Sequence, residues 1–180
     1  MNSKLFIGLT VLSLLLFSCN QKNSKRTNVD SINTSLESQE IPLDSSYSTD
    51  LYSISYPNGW ETVEQLNDMT EVYIGSQRDN FGFTIVRFET DYSLAEVNAV
   101  GNENIKQVGY IKVVDEQQIT IDGVKCYRAI HEITLKGQTF EQISFTFKKG
   151  RMLYNIKFGS ATTKSQEDLA DRIVDSFRFK

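Results

Sequence analysis

Residues 119–158, ITIDGVKCYRAIHEITLKGQTFEQISFTFKKGRMLYNIKF, decide the fold. Three glycine-containing pairs, Asp122-Gly123, Lys136-Gly137 and Lys149-Gly150, recur at intervals of 14 and 13 residues, each between runs rich in β-branched and aromatic side chains. Asp-Gly is a strong signal for a two-residue hairpin, because both central positions of that turn need a positive φ, and the Lys-Gly pairs are weaker versions of it. The stretch therefore predicts a four-stranded antiparallel meander. With two-residue loops the register follows: Ile121 faces Val124, Leu135 faces Gln138, and Lys148 faces Arg151.

Side chains alternate across a strand, so that register sorts them onto two faces. One face collects Ile111, Val113, Ile119, Ile121, Val124, Cys126, Ile130, Ile143, Phe145, Phe147, Met152, Tyr154, Ile156 and Phe158, and is the predicted core. Asp115, Gln117 and Arg128 sit awkwardly in it, as do Glu132 and Glu141, which face each other. The other face is polar, with Lys112, Glu116, Lys125, His131, Gln142, Ser144, Thr146, Lys148 and Lys157, and with Tyr127, Ile133, Leu135, Phe140 and Leu153 scattered through it. A purely solvated face has no use for those apolar residues. Helix cover is expected over Ile133, Leu135 and Phe140, and an exposed partner surface around Tyr127, His131, Gln142 and Lys157. A bulge in any of these long strands would flip part of the assignment.

Working outward, Ser93-Leu94-Ala95-Glu96 is a capping box, with Tyr92 and Val97 placed as a hydrophobic staple. Leu94, Val97, Gly101, Ile105 and Val108 then repeat at helical spacing up to Gly109. Thr163 or Ser165 opens a second helix, whose Leu169, Ala170, Ile173, Val174 and Phe177 form an apolar stripe. Upstream, 51–56, 71–76 and 82–89 read as strands. The order is three strands, helix, four strands, helix.

The N-terminus carries a different message. In MNSKLFIGLTVLSLLLFSC, Lys4 supplies a positive start, Leu5 to Phe17 an apolar run of thirteen residues, and Leu16-Phe17-Ser18-Cys19 a lipobox. Thirteen residues are too few to cross a bilayer, which takes about 20. The expected organisation is a lipoprotein signal over 1–18, an acylated Cys19 followed by a disordered tether over 19–49, and one domain over 50–180. Two or three acyl chains make a durable membrane anchor. Residues 20–49 are dominated by Ser, Thr, Asn and Gln without apolar period, and thirty such residues reach about 30 Å.

The whole chain holds 19 basic and 23 acidic residues. Lys4 is the only charge before Cys19, so a chain beginning there has 18 basic and 23 acidic residues, a net of −5. That balance argues against nucleic acid and anionic lipid as partners. With Cys19 acylated, Cys126 has no partner for an internal disulfide. His131 is the sole histidine and has no carboxylate in its predicted surroundings to orient it as a base. Cys126 faces the core as a small inert hydrophobe. Glu61, Glu64, Asp68 and Glu71 match no calcium-loop spacing, and no zinc spacing or phosphate-binding glycine loop is present. The sequence therefore calls for no catalytic residue, metal or cofactor.

Tyr52-Ser53-Ile54-Ser55-Tyr56-Pro57-Asn58-Gly59-Trp60 resembles the opening strand and Tyr-Pro-x-Gly-Trp turn of the PsbP-like family, and Ile173-Val174-Asp175-Ser176-Phe177-Arg178-Phe179 resembles its closing helix and Ser-Phe strand. The resemblance covers residues 51–180, and both motifs are structural. It implies an α+β fold, an α/β/α sandwich around a central antiparallel sheet, in which Pro57 and Gly59 shape the turn while Trp60 and Phe177 close the core. Members include an extrinsic photosystem subunit, a Ran-binding nuclear import factor and bacterial envelope lipoproteins, and there are no family catalytic residues to carry over. The functional expectation is a non-enzymatic accessory or assembly lipoprotein with a protein partner in the bacterial cell envelope, anchored through Cys19 and facing the periplasm. Two other classes stay open: a small-ligand binder using a cleft between sheet and helix, and an enzyme with Asp or Glu as acid and base.

Overall fold

The computed structural model describes residues 40–66, 70–106, 110–135, 137–159 and 163–180. The predicted meander is its backbone. Four strands, β6 (Tyr110–Ile121), β7 (Val124–Leu135), β8 (Gln138–Lys149) and β9 (Met152–Gly159), run antiparallel, and β9 is extended by β5 (Phe81–Glu89), β4 (Thr70–Ser76) and β3 (Glu61–Glu64). The sheet has seven strands in the order β3-β4-β5-β9-β8-β7-β6. Asp122 and Gly123, with φ of 46° and 78°, form the two-residue turn expected of Asp-Gly, and Ile121 faces Val124. Leu135 faces Gln138, also as expected.

Two details of register differ. At the third hairpin Lys149 faces Met152, so the turn residues are Gly150 and Arg151 and each residue's partner lies two positions from the expected one. Alternation has a period of two, so a strand that slides by two residues keeps its faces, and the core assignment of β9 stands. In β6 a bulge between Val113 and Asp115 does flip the faces. Ile111 now faces Ile133 and Val113 faces His131, which moves both off the core face where they were expected, and leaves Val113 41% exposed. The same bulge sets Lys112, rather than Val113, across from Glu132, beside the expected Glu132–Glu141 pair. A cation among two carboxylates eases their repulsion.

On the core face, Val72, Ile74, Phe83, Ile85, Ile143, Phe145, Phe147, Ile156 and Phe158 are buried against a mixed layer. That layer contains helix α2 (Lys164–Asp175) and a three-stranded sheet of β1 (Ser45–Ser48), β2 (Tyr52–Tyr56) and β10 (Arg178–Phe179), in the order β1-β2-β10. Thr163 caps α2, accepting from the Gln166 amide, and the predicted stripe Leu169, Ala170, Ile173, Val174 is buried. Phe177 stacks on Tyr52 with centroids 4.9 Å apart, and Trp60 meets Phe81 edge-on at 6.1 Å. Gly59 has a φ of 81°, which the turn after Pro57 requires.

The opposite face carries helix α1 (Leu94–Lys106), which lies against β6 and β8. Its capping box closes as read: Glu96 Oε2 accepts from the Ser93 amide at 2.7 Å, and the Glu96 amide donates to Ser93 Oγ at 3.3 Å. The expected helical positions Gly101, Ile105 and Val108 lie outside the described side chains. The described residues form a sheet-dominated domain with α1 and α2 on opposite sides, and a second small sheet shares the α2 layer. The folded unit also starts earlier than the expected residue 50. Ser45–Ser48 pairs with β2, Leu43 packs on the core, and Glu40 meets Arg172 at 2.6 Å, so 40–49 are not part of a free tether.

Candidate functional site

Strand alternation puts a polar set on the α1 side of the sheet. In β8, Gln142, Ser144, Thr146 and Lys148 alternate with the core residues Ile143, Phe145 and Phe147. Three rows cross the strands. Thr84, Lys157, Ser144 and Ala129 form the middle one, Gly159, Gln142, His131 and Val113 the second, and Val86, Asn155, Thr146 and Tyr127 the third. The four residues singled out from sequence, Tyr127, His131, Gln142 and Lys157, are thus brought together, but not as an exposed surface. Lys157 and His131 are each 8% exposed and Gln142 is 4% exposed, while Tyr127 is half-buried. Helix α1 lies against β6 and β8, with Lys148 of this side bonded to the Tyr92 carbonyl just before it, and its Val97 is buried. Ile133 is buried as expected, Phe140 is half-buried, and the Leu135 side chain lies outside the description.

Part of the set is satisfied internally. Asn155 Nδ2 donates to Thr146 Oγ1 at 2.6 Å, and Lys148 Nζ donates to the Tyr92 carbonyl at 2.7 Å. Lys157 differs. Burial alone pushes its amine down to about 8, and among the described residues no carboxylate offsets that. Next to it in the row, Thr84 Oγ1 is buried without a hydrogen-bond partner among the described residues. Burial, and secondarily the Lys157 charge, pushes His131 down to about 4. At neutral pH its imidazole is uncharged, with one ring nitrogen to donate and one to accept. These groups recognise by charge and hydrogen bonding. His131, held at about 4, is not a base poised near pH 7, whereas burial brings the Lys157 amine to about 8.

The core side holds a second polar group that sequence reading left unexplained. Arg128, 4% exposed, grips Asp171 of α2 with two bonds, Nε to Oδ1 at 2.6 Å and Nη2 to Oδ2 at 3.1 Å, and reaches Asp115 at 3.3 Å. The signal was present as Glu167 and Asp171, one turn apart on α2. This is a clamp between helix and sheet. Cys126 is fully buried, and burial pushes its thiol up to about 12. Glu61 accepts from Gln77 and Glu71 pairs with Arg87 at 3.0 Å, while Asp68 lies outside the described residues. No three His, Cys, Asp or Glu side chains among the described residues come together in a metal-binding group.

The solved structures with a similar fold include cyanobacterial PsbP (CyanoP) from Synechocystis sp. PCC 6803. It has a TM-score of 0.62 and 17% identity over 76% of this chain and 92% of that one. LpqN, described as involved in cell envelope biogenesis of Mycobacterium tuberculosis, aligns with a TM-score of 0.49 and 15% identity over 72% of this chain and 83% of its own. A search of curated protein sequences gave no match. A sequence profile described as PsbP-like protein matches residues 7–179, nearly the whole chain, and with the fold just described it shows that this chain belongs to the PsbP-like protein family.

Proposed function

We propose that this protein is a membrane-tethered, non-enzymatic accessory module of the bacterial cell envelope. The observation that carries this is the joining of a leader ending in Leu16-Phe17-Ser18-Cys19 to a PsbP-like domain whose folded part reaches back to Ser45. Lipid on Cys19 anchors the chain, and the residues between Cys19 and the domain give it a reach of about 25 Å from the membrane. Its work is to hold or steady a protein partner at the periplasmic side. His131, Gln142 and Lys157 are buried and Tyr127 is half-buried, so partner contact falls elsewhere. Val113 and Val114, 41% and 49% exposed at the bulge of edge strand β6, are adjacent apolar side chains open to such contact.

The test is site-specific photocrosslinking in intact cells from position 114, in the wild-type chain and in Cys19→Ser. The reading expects a discrete crosslinked partner that is lost when Cys19 is replaced. An equal product from both chains would sink the tethering role. No product from position 114 would exclude that edge as the contact.

A further inference from the structure

We propose that Lys157 Nζ, with the hydroxyls of Thr84 and Ser144 on the two flanking strands, forms a binding site for a small monocarboxylate on the helix-covered face of the sheet, beside Gln142 and His131. The site goes beyond the tethering role and stands or falls without it.

Four observations converge. Lys157 lies between Thr84 and Ser144 in one row, at 8% exposure, and the ion pairs of the described residues leave it out. A buried cation without a counter-charge is costly to keep, and burial here already holds its amine low. Thr84 Oγ1, directly across from Lys157 on the neighbouring strand, is a second polar group without a hydrogen-bond partner among the described residues, at 3% exposure. Both deficits are met at once by one oxyanion, which accepts from the ammonium and from the hydroxyl.

Shape agrees. Gly159 shares the Gln142 and His131 row, and among the described residues nothing comes within 4 Å of where its Cβ would stand. Past Ser144 the Lys157 row continues through the half-buried Ala129 to the exposed Glu116 on edge strand β6, so the patch opens towards solvent at that end. Charge sets the ligand class. Lys148 is engaged at the Tyr92 carbonyl and His131 is neutral at pH 7, which leaves one net positive charge surrounded by neutral donors. One charge suits a monocarboxylate better than a doubly charged phosphate. Val86, buried on β5 one row from Thr84, suits a short aliphatic group attached to it.

His131 is the only histidine, so its labelled imidazole gives a single unambiguous NMR signal within the site. The full-length protein in nonionic detergent at pH 7 is titrated with sodium acetate, then with phosphate, against sodium chloride at matched ionic strength. Acetate is expected to move the His131 signal to saturation, at least about tenfold more weakly in Lys157→Met and about threefold or more weakly in Thr84→Val. A shift that does not saturate, that chloride reproduces, or that Lys157→Met retains would overturn the site. Tighter binding of phosphate would overturn the carboxylate assignment. If Lys157→Met fails to fold, Thr84→Val decides, because it keeps the shape and removes only the hydroxyl.

Discussion

Replacing Lys157 with Met should stabilise this protein, which is the opposite of what truncating a buried side chain usually does. The amine titrates near 10.5 when unfolded and at about 8 when folded, because burial disfavours its charged form. Between those pH values the unfolded chain holds the extra proton, so stability rises with pH there, and below pH 8 the full penalty is present. A shift of that size amounts to about 3 kcal/mol at pH 7. Methionine keeps most of the apolar stem and loses the charge, so a gain of about 1 to 3 kcal/mol is expected after some loss of packing. Urea unfolding followed by Trp60, the only tryptophan and packed against Phe81, reads the difference. The gain should shrink as the pH is raised from 8 towards 10.5. A variant less stable than wild type at pH 7, or a gap that ignores pH, would refute the claim that Lys157 is a buried, unpaired cation kept at a cost in stability. Such a cost is what a binding residue, rather than a packing one, explains.

Three further outcomes follow from the same structure. Burial depresses the His131 pKa from 6.5 to about 4, so the unfolded state binds the proton first on acidification. Stability should fall by up to about 3 kcal/mol from pH 6.5 down to 4, with the NMR inflection of His131 near 4. Cys126, buried with its thiol pushed up to about 12, should resist a thiol reagent in the native protein and react once urea unfolds it; rapid labelling of the native protein would contradict the core assignment. Asp171→Ala leaves Arg128 buried with weaker partners and should cost about 2 to 3 kcal/mol, whereas Asp115→Ala, removing a half-exposed carboxylate, should cost less than about 1 kcal/mol, both by thermal or urea unfolding.

What the sequence made legible was local. The Asp122-Gly123 turn, the reciprocal Ser93 and Glu96 cap and the α2 stripe each depend on residues a few positions apart, and each is found where the pattern put it. The offset of the third hairpin was harmless, because alternation is blind to a two-residue slide. The Val114 bulge was not legible. It has no glycine or proline to mark it, yet it turned Ile111 and Val113 over. Strand β3, exposed at all four positions, has no apolar pattern to read. Arg128 looked like an error in the core because its partner, Asp171, is 43 residues away on α2. The site suffered from the same limit. Alternating polar residues look alike whether water or a helix covers them, so Tyr127, His131, Gln142 and Lys157 could be grouped on one face while their burial could not be read.

We propose that the PsbP-like domain is held at a membrane by lipid on Cys19. The most direct test of this is mass spectrometry of the N-terminal peptide of the protein isolated from its own membranes. The expected mass is that of a chain starting at Cys19 with a diacylglyceryl group on sulfur, and Cys19→Ser should remain unprocessed. A wild-type chain that retains Met1, or that begins at an unmodified residue, would contradict the account.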